Sequence, residues 1–295
     1  MLPDARFLKQ PKHFWANVRT IGQQVGYTNR QNKKIKVPSL SDIRKAYASL
    51  GLTCDHIADA SGRPTAYGQT LLDYFHYRAD VLNNFVEPRL MDAANAKAEF
   101  EKLCARLTTW SCPVPQNKQK GAMKAPAYLT AMVNLLIEEN AEGLPCDYDP
   151  RALTTITAGK TPLRTLSRRV DGAFPSSVNP IAIWEIKEYY YTTTFGSRVA
   201  DGVYETLLDG MELEELREHE NIDIKHYLVV DAHYTWWDCG RSYLCRILDM
   251  MHMGYVDEVL FGREVLERLP AVVKEWVALA KAATLATPSI AAIDE

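Results

Sequence analysis

The sequence predicts an α/β protein in which a mixed sheet of four or more strands is flanked by helices and preceded by a helical region. Three observations predict it. The first third places apolar residues at helical spacing between capping and stop signals. The second half alternates short runs rich in Val, Ile, Tyr and Trp with helical stretches. Their order is a helix, three strands with a helix inserted, a helix, a strand and a closing helix.

From the N-terminal side, HFWANVRTIGQQVG puts Phe14, Val18, Ile21 and Val25 on one helical face and stops at Gly26. The loop YTNRQNKKIKVP follows, and its Arg30, Lys33, Lys34 and Lys36 have the chemistry to touch phosphates or base edges. A merely solvated loop has the same composition. Ser39 or Ser41 can cap a helix through Leu50 that stops at Gly51, with Ile43, Ala46, Tyr47 and Leu50 as its core face. TAYGQTLLDYFHYRADVLNNFV and AANAKAEFEKLCARL read as two more helices. The stripe Tyr67, Leu71, Tyr74, Phe75, Arg78 reads as packing rather than a base-stacking platform.

Prolines, amides and lysines concentrate between Thr109 and Pro126, which marks a linker and adds Lys118 and Lys120 to the DNA-contact candidates. The predicted organisation is therefore a helical region over 1–108, able to serve as a DNA-contacting accessory domain, a linker over 109–126, a catalytic domain over 127–283 and a tail over 284–295. AYLTAMVNLLIEENAEG opens that domain as a helix with Leu129, Met132, Val133 and Leu136 on one face; Glu139 extends the stripe. HYLVVDAH and VDEVLF supply later strands, and SYLCRILDMMHM and AVVKEWVALAKAA later helices.

At 295 residues the chain can bury a substantial core as one large domain or two, and its 47% hydrophobic and 24% charged composition is that of a soluble globular protein. MLPDARFLKQ lacks the apolar core of a signal peptide and no run is long enough for a bilayer, so a cytoplasmic location with no membrane association is expected. Six cysteines without a C-x-x-C pair argue for reduced thiols rather than structural zinc. The formal charge of −3 gives no global nucleic-acid signal, yet charge is segregated: Val18 to Leu40 and Arg151 to Val170 contain bases and no acid. Phosphate-cradling glycine motifs and the G-x-S-x-G elbow are missing, which argues against a nucleotide-driven motor and a serine hydrolase.

The chemistry concentrates between Arg164 and Tyr191, in two strand-like segments, RTLSRRVDGAF and PIAIWEIKEYYY, around the turn PSSVN. In the second segment alternation puts Ile181, Ile183, Glu185 and Lys187 on one side, so an aliphatic face turns charged mid-strand. An uncovered charge there costs several kcal/mol. Asp171 and Glu185 can converge on one hard cation of the Mg²⁺ kind, which takes few carboxylates and keeps waters. Lys187 beside them can orient or deprotonate a water for in-line attack on phosphorus.

Asp171, followed after a loop by Glu185-Ile186-Lys187 on a strand, resembles the active-site signature of the PD-(D/E)XK nuclease superfamily, which includes type II restriction endonucleases. The resemblance covers roughly the second half of the chain. Val170 stands where the signature has proline. It implies a restriction-endonuclease-like sheet, Asp171, Glu185 and the Ile186 carbonyl as Mg²⁺ ligands with Mn²⁺ as a substitute, and Lys187 as the water-orienting group. It also implies an acid from the preceding helix, for which Glu139 is nominated ahead of Glu138. Arg168, Arg169, Thr193 and Arg198 then suit phosphate contacts around the site, and Glu205 a contact through water. The expected activity is Mg²⁺-dependent hydrolysis of double-stranded DNA by a restriction or anti-phage endonuclease. A homodimer would cut both strands, and a cognate DNA methyltransferase would protect the host.

An acid two residues before a lysine is cheap: this composition gives roughly two by chance, and Asp223-Ile224-Lys225 is a second instance. Two other readings therefore stand. One is a non-catalytic nucleic-acid-binding protein that keeps the fold; the other is a scaffold in which Glu185 and Lys187 form an internal ion pair.

Overall fold

The computed structural model describes residues 1–8, 10–29, 31–192 and 196–286. A helical turn α1 (Ala5–Leu8) precedes α2 (Lys12–Val25), α3 (Leu40–Ser49) and α4 (Ala66–Asp80). Ser39 caps α3 reciprocally with Asp42, and Gly26 and Gly51, both at positive φ, follow α2 and α3. Phe7, Phe14, Trp15, Ile21, Ile43, Leu71, Tyr74 and Phe75 bury together as the core of this unit, so most of the expected aromatic stripe packs inward. A π-helical segment (Val81–Val86) and a 3₁₀ turn (Glu87–Arg89) lead on to α5 (Ala93–Leu107).

Ala96 and Leu103 of α5 share one core with α6 (Tyr128–Asn140) and α9 (Glu264–Ala286). By packing, α5 goes with the C-terminal helices α6 and α9, although the sequence reading groups it with the helical region over 1–108. The physical reason is that an amphipathic helix follows its buried face, whatever composition follows it in sequence.

The central sheet is mixed and four-stranded: β3 (Gly172–Phe174), β4 (Ala182–Glu188), β5 (Lys225–Asp231) and β6 (Glu258–Phe261), adjacent in that order. β3 is antiparallel to β4, whereas β4, β5 and β6 run parallel, joined through α7 (Ser197–Glu220) and α8 (Arg241–His252). Such crossovers cover both faces of a sheet. On one face Ala182, Trp184, Tyr227, Val229 and Leu260 pack against α6 and α9, with Trp184 stacked on Trp276 at 5.4 Å. On the other face Ile183 meets Leu213 and Leu216 of α7, and Leu228, Val230, Val259 and Phe261 meet α8.

The segment Arg164–Phe174 is not the single strand expected. Its start belongs to β2 (Thr161–Thr165), which hairpins with β1 (Thr155–Ala158) as a separate two-stranded sheet. Leu166 and Val170 then sink into a small core beside Ile156 and Ile183, bending the chain before β3. That bend brings Arg168 and Asp171 to the α7 side of β4.

The helical N-terminal unit is fastened to this body at α8. Arg78 of α4 and Asp249 of α8 form a buried pair, Nη1 lying 2.9 and 3.0 Å from the two carboxylate oxygens, while the Tyr74 hydroxyl donates to Oδ1 at 2.6 Å. Among the described residues no helix is long and apolar enough to cross a membrane.

Candidate metal-binding acid cluster

β3 is short, and its shortness makes the site. Its last backbone bond toward β4 runs from the Asp171 amide to the Trp184 carbonyl at 3.2 Å. Beyond that point the β4 edge has no strand partner among the described residues, and the Ile186 amide donates to the Asp171 side chain (Oδ2, 2.8 Å) instead. A strand residue turns its N–H and C=O to the same edge, so the Ile186 carbonyl opens beside that carboxylate. The Asp171 amide also lies 3.2 Å from Glu185 Oε1. Asp171, just ahead of β3, and Glu185 of β4 are thereby held through each other's backbone neighbours on the α7 side of the sheet.

Glu185 is fully buried. Arg168 grips it with both terminal nitrogens at 2.9 and 3.1 Å, and Lys187 Nζ donates to Oε2 at 2.7 Å. Two acids of α7 complete the cluster. Asp209, also fully buried, accepts from Arg168 Nη1 at 2.5 Å; Glu205, at the rim, lies 3.3 Å from Lys187 Nζ and 3.5 Å from Arg168 Nη2. Gly202 lets α7 approach: a Cβ there would stand 3.1 Å from the Lys187 stem. Asp209 Oδ1 is buried and has no hydrogen-bond partner among the described residues.

Among the described residues four carboxylates thus face two bases, which would leave two negative charges of the cluster uncompensated were all four ionised. Its electrostatics reflect that excess. Burial would raise Glu185, but Lys187 and Arg168 outweigh it and hold the carboxyl below its ordinary range. Desolvation pushes Asp171 up to about 6, with the Glu185 charge adding to the rise and Lys187 opposing it; its side chain still opens to solvent. Asp209 is pushed up to about 7, by burial first, against the pull of Arg168. Burial disfavours the Lys187 ammonium, yet Glu185 and Asp171 keep its pKa above the ordinary lysine value.

Among the described residues no group of three or more His, Cys, Asp and Glu side chains stands as a metal cage. A hard cation of the Mg²⁺ type does not require one: one or two carboxylates, a carbonyl and waters suffice. Asp171, Glu185 and the Ile186 carbonyl match that donor set, and the surplus charge matches a divalent ion.

The structure therefore brings together Asp171, Glu185, Ile186 and Lys187, while other expected residues lie elsewhere. Glu139 is corrected: α6 covers the opposite face of the sheet, and Glu139 pairs there with both guanidinium nitrogens of Arg106. At the end of its helix it has passed the buried stripe and meets α5 instead. Glu138 accepts from the Ser111 and Cys112 amides. Arg168 is corrected as well, from a DNA contact to the internal partner of Glu185 and Asp209, because the bend before β3 turns it toward acids. Lys33, Lys34, Lys118, Lys120 and Arg169 are exposed, and Lys36 is half-buried 3.7 Å from Asp42. Arg30 and Thr193, and the side chain of Arg198, lie outside the described residues.

Sequence reasoning did not assign Asp209. Its signal is an acid in the buried stripe Gly202, Thr206, Asp209, Leu213, Leu216 of α7. Glu188, one residue past Lys187, faces the other way and is structural: its Oε2 accepts from the Thr130 amide (3.1 Å) and hydroxyl (3.2 Å), serving the first turn of α6, which lacks a side-chain cap of its own.

No curated protein and no solved structure matches the chain. Two family models do: residues 1–85 match a domain of unknown function, DUF7690, and residues 91–276 match a second, DUF7687. Their junction falls in the turn before α5, and Ile35, Ala79, Leu82 and Val86 on its N-terminal side pack in one core with Leu228, Val230 and Leu248 on the other. With most of its length in the second match, the chain belongs to the family described as Domain of unknown function (DUF7687).

Proposed function

We propose that this chain is a Mg²⁺-dependent nuclease of the PD-(D/E)XK type that hydrolyses phosphodiester bonds of double-stranded DNA in restriction or anti-phage defence. The observation that carries the reading is the mutual hold of Asp171, just ahead of β3, and Glu185 of β4, with Lys187 2.7 Å from Glu185 and more acids than bases among the described side chains of the cluster. The mixed sheet with helices on both faces supports a restriction-endonuclease-like fold.

In this reading Asp171, Glu185 and the Ile186 carbonyl hold the cation. When bound, it supplies charge neutralisation at the phosphate and acidification of water. Lys187, anchored by Glu185 and Glu205, orients the attacking water and steadies its developing negative charge. Its stem is fixed under Gly202, so the ammonium is aimed before substrate arrives. The exposed lysines at 33, 34, 118 and 120, with Arg169, are the candidate phosphate contacts. Cutting both strands takes two such sites, so the proposal includes a homodimer, a cytoplasmic setting and a methyltransferase that protects host DNA.

The test is to incubate the purified chain with a panel of phage and plasmid DNAs with Mg²⁺ or with chelator. Metal-dependent cleavage that Asp171→Asn abolishes is expected; intact DNA across the panel, or an Asp171→Asn variant as active as the parent, would overturn the reading.

One observation favours a second reading, a non-catalytic nucleic-acid-binding protein: every acceptor direction of Glu185 is already taken by Arg168, Lys187 and the Asp171 amide. That protein would bind DNA with a steep salt dependence unchanged by Asp171→Asn, and would cut none.

A further inference from the structure

A cation that reaches Glu185 has to displace something. An ionised carboxylate offers about four lone-pair directions, and here they serve Arg168 Nη1 and the Asp171 amide on Oε1, and Arg168 Nη2 and Lys187 Nζ on Oε2. The Asp171 amide is also committed to the Trp184 carbonyl, and the Lys187 stem is packed beneath Gly202. Arg168 differs on both counts. It leaves the chain from the bend between β2 and β3, its side chain is 22% exposed, and it already touches two other acids. One of these, Asp209, is fully buried with an oxygen, Oδ1, that has no partner among the described residues. A carboxylate gripped at one oxygen and left bare at the other is an acceptor with spare capacity.

We infer that Arg168 is a placeholder cation: a divalent ion arriving at Asp171 and Glu185 releases its guanidinium from Glu185, and Asp209, assisted by Glu205, receives it in a two-oxygen grip. This rests on the metal reading proposed above and adds a positioning role for two residues outside the signature. The exchange preserves charge pairing in both states. Glu185 trades a guanidinium for a metal ion, and Arg168 trades one carboxylate for another without entering water unpaired. No covalent bond forms or breaks in the exchange.

The exchange predicts effects of opposite sign. Removing the placeholder should tighten metal binding, because the ion no longer competes for Glu185. Neutralising the receiver should weaken it, because the displaced guanidinium loses its partner. A unit charge at contact distance in a partly buried site sets each effect at about tenfold or more. The experiment is calorimetric titration of the full chain with Mg²⁺ and with Mn²⁺, without nucleic acid, for the parent, Arg168→Gln and Asp209→Asn. Tighter binding by Arg168→Gln together with weaker binding by Asp209→Asn is expected; a merely structural role would weaken both.

If the parent binds metal and Arg168→Gln binds no tighter, the placeholder inference is overturned while the metal site stands. If none of the three proteins binds, the metal reading itself falls and the inference with it. Should Arg168→Gln fail to fold, Arg168→Lys replaces it, since an ammonium keeps the charge but cannot span both oxygens: tighter binding than the parent supports the inference, and equal or weaker binding overturns it.

Discussion

Replacing Lys187 by methionine removes the ammonium while keeping an unbranched stem beneath Gly202, so the packing contact is retained and the charge is lost. The structure shows what goes with it: a donor 2.7 Å from Glu185 Oε2 and 3.3 Å from Glu205 Oε2. Glu185 is not abandoned, because Arg168 still holds both its oxygens and the Asp171 amide one of them. The expected loss is therefore that of one charge-assisted hydrogen bond, about 1.5–3 kcal/mol, rather than the ~3–5 kcal/mol of a buried ion left without a partner. For a chain of 295 residues that corresponds to a Tm lower by about 2–5 °C. If Lys187 activates water, DNA cleavage falls much further, by about 10²–10⁴-fold. Denaturation and cleavage measured side by side separate the two roles. A cleavage rate equal to the parent's would refute the catalytic role, and a stability loss beyond about 5 kcal/mol would refute the claim that Arg168 shares the Glu185 charge.

Asp249→Ala leaves the Arg78 guanidinium buried and uncompensated at the junction with the helical unit, so denaturant unfolding should show a loss of about 3–5 kcal/mol; a loss under about 1 kcal/mol would mean the pair does not fasten the two units. Gly172→Ala places a Cβ 2.0 Å from Trp184 Cζ2, against a ring already stacked on Trp276. It should cost about 1–3 kcal/mol and shift the tryptophan fluorescence, whereas parent-like stability would contradict the close β3–β4 contact. Burial pushes Glu188 up to about 7 from an ordinary 4.5, against the pull of Thr130. The folded chain therefore keeps a proton that the unfolded chain releases between those values, and stability declines as pH rises through that window. Glu188→Gln should remove that part of the slope, on the order of 3 kcal/mol at most; unfolding curves with the same pH dependence in both proteins would contradict the raised value.

Elements whose physics is local were legible in the sequence. The Ser39 cap, the glycine stops after α2 and α3, and the apolar face of α6 each depend on residues within a turn or two of one another. The faces of β4 were legible for the same reason, since alternation alone sends Glu185 and Lys187 one way and Trp184 the other. What failed depended on partners far along the chain. RTLSRRVDGAF has the composition of one strand, yet Leu166 and Val170 are drawn into a core with Ile156 and Leu213, and that pull breaks the strand before Asp171. Arg168 and Arg169 look equivalent in sequence; the bend sends the first inward to Glu185 and Asp209 and leaves the second in solvent. Glu139 failed for a related reason, because helical periodicity fixes a direction around α6 but not which face of the sheet α6 covers.

A largely buried ion cluster is a poor source of stability, since removing Glu185, Asp209 and their bases from water costs more than their attraction returns unless every group is satisfied. Glu185 meets that condition. Asp209 does not, and the cluster as a whole carries more acid than base. A purely structural purpose would be served by Glu185 and Lys187 alone, or by apolar residues of similar volume, and gives no account of a bare buried oxygen beside a shared arginine. The proposed ion exchange would account for both features: the excess acid would balance an incoming divalent cation, and the bare oxygen would receive the base that the cation displaces. Glu185 being saturated is then not an objection to metal binding, because the arginine that saturates it already touches the acid that can take it over.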